Sequence, residues 1–225
     1  MSALLFSSAP CAISVAHFWL TAPCSLNVSR ETINSFCEYE SLLSKWNSKI
    51  NLISRNTFTD IWNRHFLDSG QIIKHVDASR KRWVDVGSGA GFPGLVVALL
   101  LRDRKIDCEL ILVEKSTKKV FFLNEVIRKL DLKVKVINDD IGTIDPLRAD
   151  ILTARAFSEL NNLIQIAHIH GKDDGICLFL KGENYMVELD KTLNYWFFDY
   201  DVFDSLSNPS GKIIRVKNII KNKGE

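Results

Sequence analysis

The stretch WVDVGSGAGFPG, Trp83 to Gly94, constrains this chain more than any other. Its first four residues read as a short buried strand. Glycines at 87, 89 and 91 then give a turn without Cβ atoms, which can pass through positive φ and bring bare backbone close to a ligand. Pro93 suits the first turn of a following helix, where a missing N–H removes no hydrogen bond. A strand entering a helix through such a turn is the opening unit of an α/β sheet that binds ligands at the carboxyl ends of its strands, near the point where strand order reverses.

The rest of the chain repeats that unit. Strands are predicted at 83–86, 110–113, 134–137, 150–154 and 176–180, and helices at 95–102, 117–130 and 160–170. Strands separated by helices imply a parallel sheet covered on both faces. The segments LNYWFFDYDVFDSL and KIIRVKNII have no helix signal between them and read as an antiparallel pair at the sheet edge. Ahead of the sheet, residues 29–76 read as helical. Ser29 is the candidate N-cap of the first helix, which carries Ile33, Phe36, Leu43, Trp46 and Ile50 on one face. In the second helix Ile61, Trp62, His65, Phe66, Ser69, Ile72 and Ile73 share a face. The expected organisation is an extension over 1–27, a helical section over 28–79 and the sheet domain over 80–225.

The 225 residues are 46% hydrophobic and 25% charged, with no apolar run long enough to span a bilayer. Net charge is only +2, but lysines and arginines cluster over 102–135 and after Gly211. Solvated helix faces explain most of them, and a clustered patch would attract phosphates. Five cysteines without a C-x-x-C pair argue against a zinc site or disulfide framework and for a reducing cytoplasm. Residues 1–27 lack a positive n-region before Arg30, so the expectation is a disordered extension or a misassigned start, with no chemistry.

Three ligands compete for the glycine turn. A phosphate-binding P-loop is excluded because no Gly-Lys-Ser/Thr closes it. A dinucleotide fold is formally allowed by Gly89-x-Gly91-x-x-Gly94. In register with the strand, however, Phe92 stands where the third glycine belongs. S-adenosylmethionine needs a loop that wraps a carboxylate, an amine and a nucleoside; Asp85 could face its cationic part. Glu114, at the tip of LVEK, could accept both hydrogens of a ribose diol in either nucleoside site. Arg155 ends the strand ADILTARAF, where an unpaired charge is expensive to bury, so it is expected to meet a cofactor carboxylate or a phosphate; the structural alternative is an ion pair with Glu159. After that strand the chain offers neither a cysteine nucleophile nor an Asn/Asp-Pro-Pro-aromatic loop. Guanine N7 exposes an in-plane lone pair and needs no base, so a site for its methylation requires only proximity and alignment.

The blocks KWNSKINLIS (45–54), RHFLDS (64–69), VDVGSGAGFPG (84–94), VEK (113–115), KKVFFL (118–123), ARAF (154–157) and LKG (180–182) together resemble the bacterial small-subunit ribosomal RNA methyltransferase G family, also called glucose-inhibited division protein B. The resemblance implies a class I S-adenosylmethionine-dependent methyltransferase. Its fold is α/β and Rossmann-like, with a seven-stranded, mostly parallel sheet and an antiparallel edge pair after the helical section. The reaction implied is methylation of N7 of one guanine in the decoding-region loop of 16S rRNA, free or in a small-subunit assembly intermediate, by a cytoplasmic monomer. Carried over by position, Gly87 and Phe92 line the cofactor, Glu114 holds its ribose, Ile141 and Gly142 flank the adenine, and Arg155 sits beside it. No acid–base catalyst and no metal are implied. His65 reads as a core residue and Arg64 as the partner of Asp68 on the same helix. Lys118, Lys119, Lys181 and the basic tail are candidates for phosphate contacts. An NAD-dependent oxidoreductase and a non-catalytic RNA-binding module are the alternatives.

Overall fold

The computed structural model describes residues 28–222 except residue 78, so the expectation for 1–27 lies outside the described residues. Seven strands form one sheet: β1 (Arg82–Val86), β2 (Glu109–Val113), β3 (Val134–Ile137), β4 (Ala149–Arg155), β5 (Gly171–Lys181), β6 (Trp196–Asp204) and β7 (Lys212–Lys221). Their order is β3-β2-β1-β4-β5-β7-β6. The first five pair in parallel, and β7 lies antiparallel between β5 and the edge strand β6. Strand order therefore reverses between β1 and β4, which fixes the ligand crevice at their carboxyl ends.

Five helices cover the sheet: α1 (Arg30–Asn47), α2 (Gly94–Asp103), α3 (Thr117–Lys129), α4 (Leu160–His170) and α5 (Tyr185–Leu193). The first three pack on one face and the last two on the other, each with its own apolar cluster. The central strands are buried on both faces, which explains why they read as continuous apolar runs. Ser29 caps α1 as expected, accepting the Thr32 N–H at 3.2 Å. Asp103, at the end of α2, accepts both the Ser29 N–H and the Thr32 hydroxyl and so ties the two helices together.

Two expectations need correction. The second helix is not regular: a short turn at Arg55–Phe58 leads to a π-helical segment, Trp62–Leu67, and then to a 3₁₀ turn, Gln71–His75. The wider turn lets His65, Phe66 and Leu67 be buried in succession. Second, α5 was not anticipated. Its Met186 and Val187 are exposed and only Leu189 and Thr192 are buried, so the segment offers no apolar stripe to read. The segment after Gly211 is strand β7 of the antiparallel edge pair, as expected, and there Lys212 pairs with Asp204 and Arg215 with Asp201 at 2.8 Å.

The tight glycine contact of α2 also lies at a different position from the one expected. Close helix–strand approach occurs at Gly94, the first residue of α2, where a Cβ would lie 2.3 Å from Leu112 Cδ2 and 2.8 Å from Asp85 Oδ2. The Gly94 N–H donates to that same Asp85 oxygen at 3.2 Å, and the Thr153 hydroxyl donates to the other at 2.8 Å. Asp85 thus anchors the start of α2, and burial raises its carboxyl to about 6. Gly94→Ala is expected to lower unfolding free energy by about 1–3 kcal/mol, the usual penalty for overpacking, as read by urea denaturation.

Candidate active site

Two cavities open at the carboxyl ends of the strands. The first, about 610 Å³, runs along the tips of β1, β2 and β3 and is walled by Gly87, Glu114, Lys119, Ile141, Gly142 and Phe157 among others. The connection from β3 to β4 carries no helix, and its residues 139–142 form one side of the cavity. The second, about 530 Å³, lies between the ends of β4 and β5, the π-helical segment and the β6–β7 loop.

The glycine turn has the predicted shape, with φ of +65°, +58° and +88° at Gly87, Gly89 and Gly91. At Gly87 a Cβ would fall 2.0 Å from Cδ2 of Phe157, whose ring lies directly against the bare backbone. The Tyr39 hydroxyl donates to the Ala90 carbonyl and ties the turn to α1. Glu114 holds the turn from the other side: one carboxylate oxygen accepts the Gly89 N–H at 2.9 Å and the other the Ser116 N–H at 2.8 Å. Each oxygen keeps a lone pair for a further donor. A cavity combining bare backbone, such a carboxylate and Ile141 fits a ribonucleoside, whose diol needs acceptors and whose base needs an apolar flank.

Arg155 heads the second cavity, beside the first. Its guanidinium donates to His65 Nδ1 at 2.7 Å and to the Arg64 carbonyl at 3.1 Å, pairs with Asp68 at 3.4 Å, and lies 5.1 Å from the centre of the Phe92 ring. Because arginine only donates, His65 Nδ1 must be the acceptor. Nε2 therefore carries the proton, which it donates to the Thr57 hydroxyl at 3.0 Å. Burial, with the charges of Arg155 and Arg64, pushes the imidazole from 6.5 to about 3. Asp68 also accepts from Ser205, Ser207 and Gln71. The anion that Arg155 meets is thus Asp68, neither Glu159 nor an open position, and Asp68 is not held by Arg64.

Of the six residues expected to bind the cofactor, Gly87, Glu114, Ile141 and Gly142 wall the first cavity and Arg155 the second. Phe92 walls neither. Its ring, 3% exposed, stacks on Tyr39 at 5.4 Å and packs against His65 at 4.9 Å and Phe66 at 5.4 Å. Asp85 is likewise enclosed, away from both cavities. Lys119 reaches the first cavity and Lys118 is exposed. Lys181 is held by Glu188 at 2.6 Å and by the Ser158 carbonyl at 3.0 Å. The partners of Asp68 at 205 and 207 were missed, since nothing local in the sequence joins positions so far apart. Phe157 was missed as well, although it ends the quoted ARAF block.

Ala156 belongs to both cavities and has φ +50°, a left-handed conformation that costs an L residue about 1–2 kcal/mol.

The sheet order and the nucleoside-shaped cavity define a class I S-adenosylmethionine-dependent methyltransferase. The fold is shared with a SAM-dependent methyltransferase from Aquifex aeolicus, at a TM-score of 0.56 and 14% identity over 79% of this chain and 97% of that one. The chain belongs to the rRNA small subunit methyltransferase G family, whose profile matches residues 32–212. Ribosomal RNA small subunit methyltransferase G of Ruegeria pomeroyi is 38% identical over 88% of this chain and 96% of that protein. Its counterpart in Paramagnetospirillum magneticum is 38% identical over 88% and 94%.

The neutral His65 makes a pH prediction. Unfolded, it takes a proton below about 6.5; folded, it refuses one until about pH 3. Its contribution is complete above 6.5 and is lost as pH falls from 6.5 toward 3. His65→Asn, which keeps an acceptor for Arg155, should narrow the stability gap to the native protein between pH 7 and pH 5 in urea titrations.

Proposed function

We propose that this enzyme transfers the methyl group of S-adenosylmethionine to N7 of one guanine in the decoding-region loop of 16S rRNA. The observation carrying this is the first cavity, which combines the positive-φ turn at Gly87 with Glu114 at the β2 tip and Ile141–Gly142 beyond β3. The donor supplies an electrophilic methyl on a sulfonium sulfur. Glu114 accepts the ribose hydroxyls, Ile141 and Gly142 flank the adenine, and Gly87 permits close approach of the remainder. Phe92 supports the turn through its buried ring, and Arg155 fixes the boundary toward the second cavity.

N7 carries its lone pair in the ring plane, so no side chain has to remove a proton. What the chain contributes is alignment, and no residue is assigned as acid or base. Lys118 and Lys119 are the candidates for RNA phosphate contacts; Lys119 lines the cofactor cavity and Lys118 is exposed. The working form is a cytoplasmic monomer acting on 16S rRNA or on an assembling small subunit.

Mass mapping of 16S rRNA from cells with and without the protein should show N7-methylguanine at the decoding loop only when it is present. Unchanged methylation would overturn the proposal, and ribosome association without transfer would mark a binding module. By calorimetry the protein should bind S-adenosylmethionine and not NAD. Glu114→Gln, which loses the charge from the ribose contact, should weaken that binding about tenfold or more, the equivalent of about 1.5–3 kcal/mol.

A further inference from the structure

Three buried side-chain polar atoms among the described residues have no hydrogen-bond partner, and one of them, Nδ1 of His170, belongs to a residue that walls the first cavity. His170 is 1% exposed and closes α4. An enclosed nitrogen without a partner is unfavourable, and such a group persists in a binding site where the ligand completes the bond. The place of His170 says which part of a ligand that would be. Gly87 and Glu114 lie at the strand tips, whereas α4 starts after β4 and runs back along the sheet to begin β5. Its last residue therefore lies at the end of the cavity remote from Glu114. Helical Cα–Cβ bonds tilt toward the helix N-terminus, so the imidazole leans back toward the strand tips. Ile141, Ile166 and Ile169 give the same cavity its apolar wall. A ribonucleoside whose diol meets Glu114 directs the far edge of its base, N1 and the 6-substituent, toward His170.

We infer that His170 reads the base of the methyl donor: Nδ1 accepts the exocyclic N6–H of adenine and disfavours a base that carries an oxygen there. This rests on the methyltransferase reading above. Burial pushes the imidazole below its ordinary range, against a smaller opposing pull from the Ile141 carbonyl, so the ring is neutral at physiological pH. A neutral imidazole has one N–H and one lone pair. The Ile141 carbonyl draws the N–H, which leaves the lone pair on Nδ1. The carboxylates beyond Glu114 are engaged in shaping the turn after β3. Asp139 accepts the Asp140 N–H at 2.8 Å and the Thr143 hydroxyl at 3.0 Å, while Asp140 accepts the Gly142 N–H at 3.0 Å and pairs with Lys115 at 3.6 Å. Hypoxanthine, equal to adenine in size, would turn a carbonyl oxygen toward the same lone pair and leave both acceptors unpaired.

S-adenosylhomocysteine and S-inosylhomocysteine differ only at that edge of the base and serve as probes. By calorimetry the native protein should bind the adenine compound at least about tenfold more tightly. His170→Leu offers no acceptor, so the preference should fall to about threefold or less. His170→Asn, whose Oδ1 stands near the place of Nδ1, should keep it. Without ligand, His170→Leu should resist urea at least as well as the native protein, because an unpaired polar atom is removed. A purely structural histidine would instead lower the urea midpoint and leave the ratio unchanged. In native protein labelled with 15N-histidine, Nδ1 of His170 should carry no proton, and its resonance should move when S-adenosylhomocysteine binds; this measurement stands whether or not the leucine variant folds. Equal affinity of the native protein for the two compounds, an unchanged preference in His170→Leu, or a protonated or unmoved Nδ1 would overturn the inference. If the native protein binds neither compound, the methyltransferase reading fails first, and this inference with it.

Discussion

A guanidinium withdrawn from water at the end of β4 organises everything around it. Burial opposes the charge of Arg155, and the fold answers with a carboxylate from Asp68, an imidazole lone pair from His65, a backbone carbonyl at Arg64 and the face of Phe92. Those partners come from the broken helix and the glycine turn. The π-helical segment places Arg64 and His65 within reach together, and the aromatic cluster of Tyr39, Phe66 and Phe92 fills the space beneath. One buried charge thereby fixes the N-terminal helices, the ligand turn and the sheet relative to one another.

Much of this architecture was legible in the sequence, for identifiable reasons. Central parallel strands are buried on both faces and announce themselves as apolar runs, and Ser29 announces a helix start by its chemistry. The glycine turn was legible because only glycine takes positive φ so freely, and all three predicted positions do so. Helix α5 was not, because its outward face carries Met186 and Val187 and its buried face little. The Asp68 cluster was not legible either. Its hydroxyl partners lie at 205 and 207, and a serine in a loop carries no sign of which carboxylate it will meet. The third glycine was misjudged because register was counted from the strand. The contact depends on where the helix begins, at Gly94.

Two buried ionisable groups near the turn pull stability in opposite directions with pH. Folding keeps Asp85 protonated up to about pH 6, so its contribution is lost as pH rises from about 4 through 6. Folding keeps His65 neutral down to about pH 3, so its contribution is lost as pH falls below 6.5. Over the interval where both act the two effects oppose each other. The framework beneath the ligand turn is accordingly buffered against mild acid.

The clasp between Asp68 and the loop joining β6 to β7 sets a schedule as well as a shape. Ser205, Ser207 and the backbone of Leu206 reach residues on the broken helix more than 130 positions earlier. Closing so long a stretch of chain is slow, and during synthesis it waits for residues near the C-terminus. The second cavity therefore needs chain as far as Lys212, whereas the walls of the first end at His170. A nascent chain has made every wall residue of its nucleoside site before it holds all those of the space beside it.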